Sequence, residues 1–273
     1  MDDEVYALLT RLIALSPDGA AEANALVRAT CATALSLPAL AADGSPTDDP
    51  TLAAFAEQFA VDVSMIGAEQ RAAFFAALGG NAFRVTALIF IADFVPRVKA
   101  GLAALGFTPV VDPVGWDRYT DPVDLLLNVY APTVGALRAL DPVTTEVVRL
   151  RGAVQHNCRL CKSLREATAL DAGGTESMYA DIEDYESSGL LDERQKAALR
   201  YVDALIWTPS TIDDDVAKGV LAHFSDAEAL EITFDVMRNA TNKIAVALGG
   251  DAPRIEEGTE RYLLGVDGQP VYS

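Results

Sequence analysis

The stretch "EVVRLRGAVQHNCRLCKSLREA", residues 146–167, carries the strongest indication of fold and function in the chain. It holds two of the three cysteines and one of the two histidines. A Cys-x-x-Cys pair on the first turn of a helix brings two sulfurs within disulfide range, and the free N–H groups there lower the thiol pKa. Asn157 is a good N-cap directly before Cys158, and Arg165 adds positive charge that favours a thiolate. The segment therefore predicts a redox or nucleophilic pair, Cys158 and Cys161.

Two other interpretations of the cysteines stay open. The apolar positions Val143, Val147, Leu150 and Val154 continue in phase to the cysteines. One uninterrupted helix with inert cysteines in the core is therefore possible. A metal site would use His156 with the cysteines, but zinc needs four ligands, and the fourth would have to be a carboxylate or His223. A thioredoxin-like site is disfavoured because no βαβ pattern surrounds the motif.

A helical period dominates the rest of the chain, and no sustained alternating run of β-branched residues is present, so we expect an all-α fold. Ser225 and Glu228 form a predicted capping box, and Gly249 is expected to close the apolar helix that follows. The most apolar run, residues 85–95, is shorter than the ~20 residues that cross a bilayer and contains Asp93. It predicts a buried helix rather than an anchor.

The chain has the pattern of a tandem duplication. Residues 52–106 run parallel to 198–249, with a similar succession of helices and a Leu-Gly stop. The expected division is a degenerate N-terminal repeat, a proline-marked connector and a Cys-x-x-Cys-bearing repeat, at 1–106, 107–129 and 130–273. The alternative is two unrelated helical layers.

The two predicted repeats differ at the cysteines. When Glu4 is aligned with Glu146, Ser16 and Gly19 fall where the two cysteines stand. The first copy therefore lacks the thiols, and we expect one functional site per chain, in the second half.

Composition narrows the functional classes. The chain carries 40 acidic and 21 basic residues, a net charge of −19, which argues against nucleic acid or anionic membrane as partners. The acidic N-terminus has no visible export signal, and three cysteines do not make an even disulfide framework, so we expect a cytoplasmic protein. No cofactor motif is visible and no cofactor is expected. Cys31 stands alone and is expected to be buried.

The spacing of the motif is similar to a known family signature. Glu146, eleven residues, Cys158, two residues and Cys161 resemble the Glu-x11-Cys-x2-Cys-x3-His pattern of the alkylhydroperoxidase D and carboxymuconolactone decarboxylase superfamily. The resemblance covers about residues 130–250 well and the N-terminal half only as the degenerate repeat. The chain departs from the pattern at the last position, where Arg165 replaces the histidine.

The resemblance implies an all-helical fold and thiol-based peroxide reduction. One cysteine attacks the peroxide, the other resolves the sulfenic acid, and a dihydrolipoamide-like or protein thiol restores the pair. By position, Cys161 matches the cysteine activated through the histidine and Cys158 the more accessible partner, while Glu146 matches the proton-transferring glutamate. Modules of this family associate, so a homo-oligomer is implied, a dimer or trimer of double modules.

The arginine changes what this site can do. Arg165 stays protonated, so it cannot take a proton from Cys161; it can only hold a thiolate by charge or pair with Glu146. His156 is the candidate substitute base if the segment before Cys158 is a loop. Two alternatives remain: a carboxymuconolactone decarboxylase-type lyase whose Arg165 binds a small carboxylic acid, and a non-catalytic helical interaction protein.

Overall fold

The computed structural model describes residues 2–272 of the 273 in the chain. The helices of the first half are α1 Asp2–Ala14, α2 Ala21–Leu35, α3 Pro50–Asp62, α4 Ala68–Leu78 and α5 Ala82–Ala104. Those of the second half are α6 Ala131–Gly135, α7 Pro142–Gln155, α8 Arg159–Lys162, α9 Ala167–Asp171, α10 Glu176–Ala180, α11 Glu193–Trp207, α12 Asp214–His223, α13 Asp226–Ala240 and α14 Lys243–Leu248. The prediction of a mostly helical fold is confirmed.

Shorter elements complete the chain. A π-helix, Asp124–Tyr130, runs directly into α6. Single 3₁₀ turns lie at Val63–Met65, Gly79–Asn81, Tyr185–Ser187 and Pro209–Thr211. Three strands, which the helical pattern did not predict, are β1 Leu164–Glu166, β2 Glu260–Leu264 and β3 Pro270–Tyr272. They form one small sheet in the order β1-β2-β3, with β1 parallel and β3 antiparallel to β2.

Helix α5 lies at the centre of the protein. Every residue from 85 to 98 is buried, and the helix packs against α2 and α3 on one side and α11, α13 and α14 on others. A helix that is apolar all round belongs in a core. The window of residues 68–104 is the one described stretch long and apolar enough to cross a membrane, and half of its most apolar part is buried in the protein. The prediction of a buried helix over 85–95 is confirmed.

One apolar core joins the two halves. It extends from Val5 in α1 through α5 to Ala247 in α14, and a smaller cluster lies between α7, α10 and α11. The π-helix begins at Asp124, inside the predicted connector 107–129. The division into two related repeats stays a prediction.

Helix ends follow the sequence signals in part. The capping box at Ser225 and Glu228 is present, with the Ser225 side chain accepting from the Glu228 N–H and the Glu228 carboxylate accepting from the Ser225 N–H. Gly249 ends the segment in the left-handed conformation, at φ 75°. The apolar run between them is two helices rather than one, because the chain turns after Ala240 before α14 begins at Lys243.

An ionic cluster is enclosed where α5 meets α14. Asp93 accepts hydrogen bonds from Arg97 Nε at 2.7 Å and from Lys243 Nζ at 2.6 Å, and all three side chains are at most 3% exposed. Burial lowers the pKa of Lys243 to about 8, although the Asp93 carboxylate opposes that shift. We call these three residues the sealed cluster.

Candidate functional site

A tight turn separates α7 from the cysteines. Helix α7 ends at Gln155, and Asn157 then adopts a left-handed conformation with φ 50°, which asparagine tolerates better than most residues. Cys158 is extended and is itself the N-cap of α8, so the assignment of Asn157 as N-cap is wrong by one position. The alternative of one uninterrupted helix through both cysteines is also wrong, because the turn breaks the phase.

Cys158 and Cys161 are joined by a disulfide, with Cα atoms 5.4 Å apart. They occupy the N-cap and third positions of α8, and Cys158 Sγ accepts a hydrogen bond from the Cys161 N–H at 3.3 Å. Both residues are buried, at 1% and 3% exposure, so Cys158 is not the more accessible of the two. Cys31 lies apart as a free, buried thiol, and burial raises its pKa.

Glu146 lies under the cysteine turn but is held by another residue. Arg149, one helical turn further along α7, donates to both Glu146 oxygens at 2.6 and 2.7 Å. The Glu166 N–H also donates to Glu146, at 3.1 Å. Arg149 continues to the carbonyl oxygen of Cys161 at 2.9 Å, so it links the carboxylate to the cysteine turn. Burial alone would lower the Arg149 pKa, but the adjacent carboxylate outweighs it and the pKa is raised.

Arg165 faces away from this pair. It lies in the middle of β1, where successive side chains point to opposite faces, and its buried neighbours Leu164 and Glu166 take the inner face. Arg165 instead donates to the exposed Glu176 at 2.9 Å and stacks over Tyr179. The structure therefore does not bring Arg165 to Glu146, and Arg149 stands where that pairing was expected.

His156 is packed into the core beside α5. Its ring contacts Phe94 edge-on with centroids 6.0 Å apart, and its Nε2 is buried with no partner among the described residues. Burial, together with the positive charges of Lys243 and Arg97, lowers the His156 pKa well below its usual value. The ring is neutral at physiological pH and lines neither of the cavities described next; its role as a base stays a prediction.

A cavity of about 250 Å³ opens beside Cys161. We call it the thiol cavity. Its polar lining consists of Arg149, Cys161, Arg238, Asn239, Thr241, Asn242 and Gln269. Leucine, proline and tyrosine side chains form most of the remainder, among them Tyr262 and Tyr272 from the small sheet. Cys158 is not part of this lining.

A second, smaller space of about 80 Å³ lies behind the same arginines. We call it the carboxylate cavity, because Glu146, Glu166, Glu231 and Asp235 line it. It shares Arg149, Arg238, Tyr262 and Leu264 with the thiol cavity. Burial, followed by the nearby Asp235 charge, raises the pKa of Glu231 to about 7, and burial also raises the Asp235 pKa.

The turn between β2 and β3 completes one wall of the thiol cavity. Gly268 lies in this turn with φ 73°, packed against the backbone of α6. A Cβ at this position would lie 1.9 Å from the Pro132 oxygen and 2.8 Å from the Ala136 nitrogen. Only glycine therefore allows the turn to approach α6 so closely.

Sequence reasoning missed several residues that form the site. Arg149 carried a usable signal, because it stands three positions after Glu146 on the same helical face. Arg238, Asn239 and Tyr262 had none, since they come from α13 and β2, far away along the chain. Among residues 2–272, no group of three or more His, Cys, Asp or Glu side chains is arranged to hold a metal ion.

No protein-family model matches the chain. It is 55% identical to the uncharacterized proteins Rv2313c and MT2376 of two Mycobacterium tuberculosis strains, over 97% of this chain and 96% of theirs. The uncharacterized protein YnjA of Escherichia coli is 27% identical over 135 residues, which cover 49% of this chain and 74% of YnjA.

Two solved structures are similar to about half of the chain. ATU0492 of Agrobacterium tumefaciens, a protein of unknown function proposed to be an AhpD antioxidant defence protein, matches with a TM-score of 0.39 and 25% identity. That match covers 48% of this chain and 87% of ATU0492. The debrominase Bmp8 matches with a TM-score of 0.38 and 16% identity, over 58% of this chain and 84% of Bmp8. The spacing of Glu146, Cys158 and Cys161 keeps its resemblance to the alkylhydroperoxidase D and carboxymuconolactone decarboxylase signature. By its 55% identity over nearly the whole of both chains, the protein belongs to the family of Rv2313c.

Proposed function

We propose that the protein is a thiol-dependent oxidoreductase that reduces organic hydroperoxides by cycling Cys158 and Cys161 between dithiol and disulfide. The observation that carries the proposal is the position of the pair: the sulfurs are within bonding distance, and Cys161 lines an open cavity. Inert core cysteines have no need of a cavity. The family resemblance of the motif supports the same chemistry.

Cys161 is the attacking residue in this proposal because it lines the cavity and Cys158 does not. The Cys161 thiolate attacks the terminal oxygen of the hydroperoxide, an S–O bond forms and the O–O bond breaks. The alkoxide takes a proton from solvent and leaves as the alcohol. Cys158 then attacks the sulfenic sulfur, the S–S bond forms, and the hydroxyl leaves as water with the Cys158 proton. The two sulfurs lose two electrons and the peroxide gains them.

The surrounding charges favour the thiolate forms. Cys158 Sγ already accepts the Cys161 N–H, a bond that grows stronger when the sulfur is negative. Arg149, whose guanidinium reaches the Cys161 carbonyl, places a positive charge below the turn that Glu146 balances in part. Glu146 acts as a positioning residue, because its carboxylate fixes the Arg149 fork rather than pointing at a thiol.

A thiol count tests the proposal. We expect the reduced protein to fall from three free thiols to one after one equivalent of cumene hydroperoxide, with buried Cys31 left unreacted. Cys158→Ser should stop at a Cys161 sulfenic acid that dimedone traps, while Cys161→Ser should consume no peroxide. Retention of all three thiols in the wild-type protein would exclude the peroxidase activity.

Turnover requires a reductant for the disulfide. We propose a dihydrolipoamide-like dithiol or a protein thiol, which attacks the disulfide and leaves with both of its own sulfurs oxidised. Such a cycle fits a reducing compartment, and the cytoplasmic location and the homo-oligomer stay predictions.

A further inference from the structure

The thiol cavity has an unusual charge for this protein. The chain carries a net charge of −19, yet the described lining of the cavity contains two arginines and no carboxylate. Glu146 and Asp235, which pair with Arg149 and Arg238, line the carboxylate cavity instead. The arginines are therefore paired with carboxylates on the far side, and the side that meets Cys161 presents guanidinium groups and neutral polar side chains but no carboxylate.

Two neighbouring residues of α13 supply donors to this cavity. Arg238 donates through Nε to Asp235 at 2.8 Å, which anchors the guanidinium on its far side, and its side chain is 12% exposed. The next residue, Asn239, has a buried Nδ2 that is without a partner in the described chain. An unpaired buried donor is costly, so Asn239 Nδ2 calls for a partner such as a water molecule or a ligand.

Much of the remaining lining of the cavity is apolar. Leu127, Leu160 and Leu164 line it together with Tyr272, and the space is about 250 Å³. Such a surface suits a short hydrocarbon body rather than a bare inorganic anion. Planar guanidinium forks match carboxylates in two parallel hydrogen bonds.

We propose that the thiol cavity is a carboxylate-binding site in which Arg238 and Asn239 hold the carboxylate of a small apolar acid whose other end meets Cys161. The placement of the reacting end of the acid at Cys161 rests on the proposed thiol function. The acid is either the hydroperoxide itself or the dithiol that reduces the disulfide. Arg238 and Asn239 determine specificity and take no part in the electron transfer.

Two alkylating reagents of nearly equal size but different charge test the site without any peroxide. Iodoacetate and iodoacetamide both transfer their carbon to the thiolate and release iodide, and only iodoacetate carries a carboxylate. Both rates at Cys161 are measured by peptide mass spectrometry in the Cys158→Ser variant. Their ratio is independent of the fraction of Cys161 that is present as thiolate, because both reagents need the thiolate. We expect Arg238→Gln to lower the iodoacetate to iodoacetamide ratio about tenfold, the value of one charged hydrogen bond.

Three further variants control for loss of charge, for misfolding and for arginine replacement elsewhere on the protein. Arg238→Lys should retain part of the preference, and Asn239→Ala, which strands no charge, should lower the ratio about threefold if Arg238→Gln does not fold. Arg200→Gln, which removes an arginine paired with Glu186 on the surface, should leave the ratio unchanged. Equal ratios in wild type, Arg238→Gln and Asn239→Ala would overturn the proposal.

Two kinetic comparisons assign the acid. One uses a fatty acid hydroperoxide and its methyl ester, the other dihydrolipoate and dihydrolipoamide. A preference for the acid that disappears in Arg238→Gln supports the proposal and identifies the oxidant or the reductant, and a preference in neither comparison contradicts it. If no hydroperoxide is turned over while the iodoacetate preference persists, the peroxidase function fails and the carboxylate site stands.

Discussion

Two buried arginine–carboxylate groups in this protein have similar chemistry and opposite surroundings. The sealed cluster of Asp93, Arg97 and Lys243 borders neither cavity, whereas Glu146 borders the carboxylate cavity and its partner Arg149 borders both cavities. Arg97 spends its donors on Asp93 and on the carbonyls of Ala60, Leu205 and Ile206. Arg149 donates through Nε and Nη2 to Glu146 and through Nη1 to the carbonyl oxygen of Cys161. Burial of an ion pair therefore does not distinguish the two groups, whereas contact with a cavity does.

The largest expected effect is the loss of the anion from the sealed cluster. Asp93→Ala leaves two cations buried without their carboxylate, so we expect the free energy of unfolding to fall by about 5 kcal/mol in urea denaturation. The rate of Cys161 alkylation at neutral pH should not change while the protein is folded. The control is Asp112→Ala, which removes an exposed carboxylate that pairs with the half-buried Lys99, with an expected loss below about 1 kcal/mol. Equal losses in both variants would contradict the assignment.

The corresponding change at the site is Glu146→Gln. It leaves one buried cation and keeps an amide oxygen as acceptor, so we expect a smaller loss of about 3 kcal/mol. The positive charge of Arg149 is then no longer balanced, which favours the thiolate and should raise the iodoacetamide rate at pH 7 about threefold. A slower reaction in this variant would mean that Glu146 activates the thiol directly.

A pH comparison tests how firmly His156 is enclosed. Its pKa is lowered in the folded protein, so below about pH 6.5 the unfolded chain binds a proton that the folded chain does not, and stability falls as pH falls. We expect His156→Phe to remove about 1.4 kcal/mol of destabilisation per pH unit in that range. The exposed His223, changed to Gln, is the control and should keep the wild-type slope. An unchanged slope in His156→Phe would contradict the burial argument.

The smallest expected effect concerns Arg165. Its partner Glu176 is 58% exposed, so Glu176→Gln should cost less than about 1 kcal/mol. Because β1 turns Arg165 away from the cavity, the alkylation rate of Cys161 should stay within error of wild type. A clear change in rate would show that Arg165 tunes the thiol, as the family position of this residue suggests.

Local signals account for the parts of the fold that the sequence predicts. The capping box at Ser225 and the buried run around Asp93 depend on neighbours within a few residues, and both appear as expected. The sheet does not, because β1 and β2 are only three and five residues long and lie about one hundred positions apart. Strands of three to five residues are too short to show a recognisable alternation of apolar and polar residues.

The candidate site also combines features that are local in the sequence with features that depend on long-range packing. The Cys-x-x-Cys motif and its distance from Glu146 are local, and they direct attention to the right turn. Arg149, and not Arg165, pairs with Glu146 because residues 164–166 form a strand. Side chains alternate between the two faces of a strand, so Arg165 does not lie on the inner face. Arg238 and Asn239 reach the cavity only through the packing of α13 on α7, which no local pattern encodes.

The close approach of Gly268 to Pro132 has a consequence for how specificity could diversify. The helices supply the thiols and the arginines, while the segment 260–272 supplies Tyr262, Tyr272 and the turn that faces them. Exchange of the residues after Gly268 would therefore reshape the ligand space with the redox pair left in place.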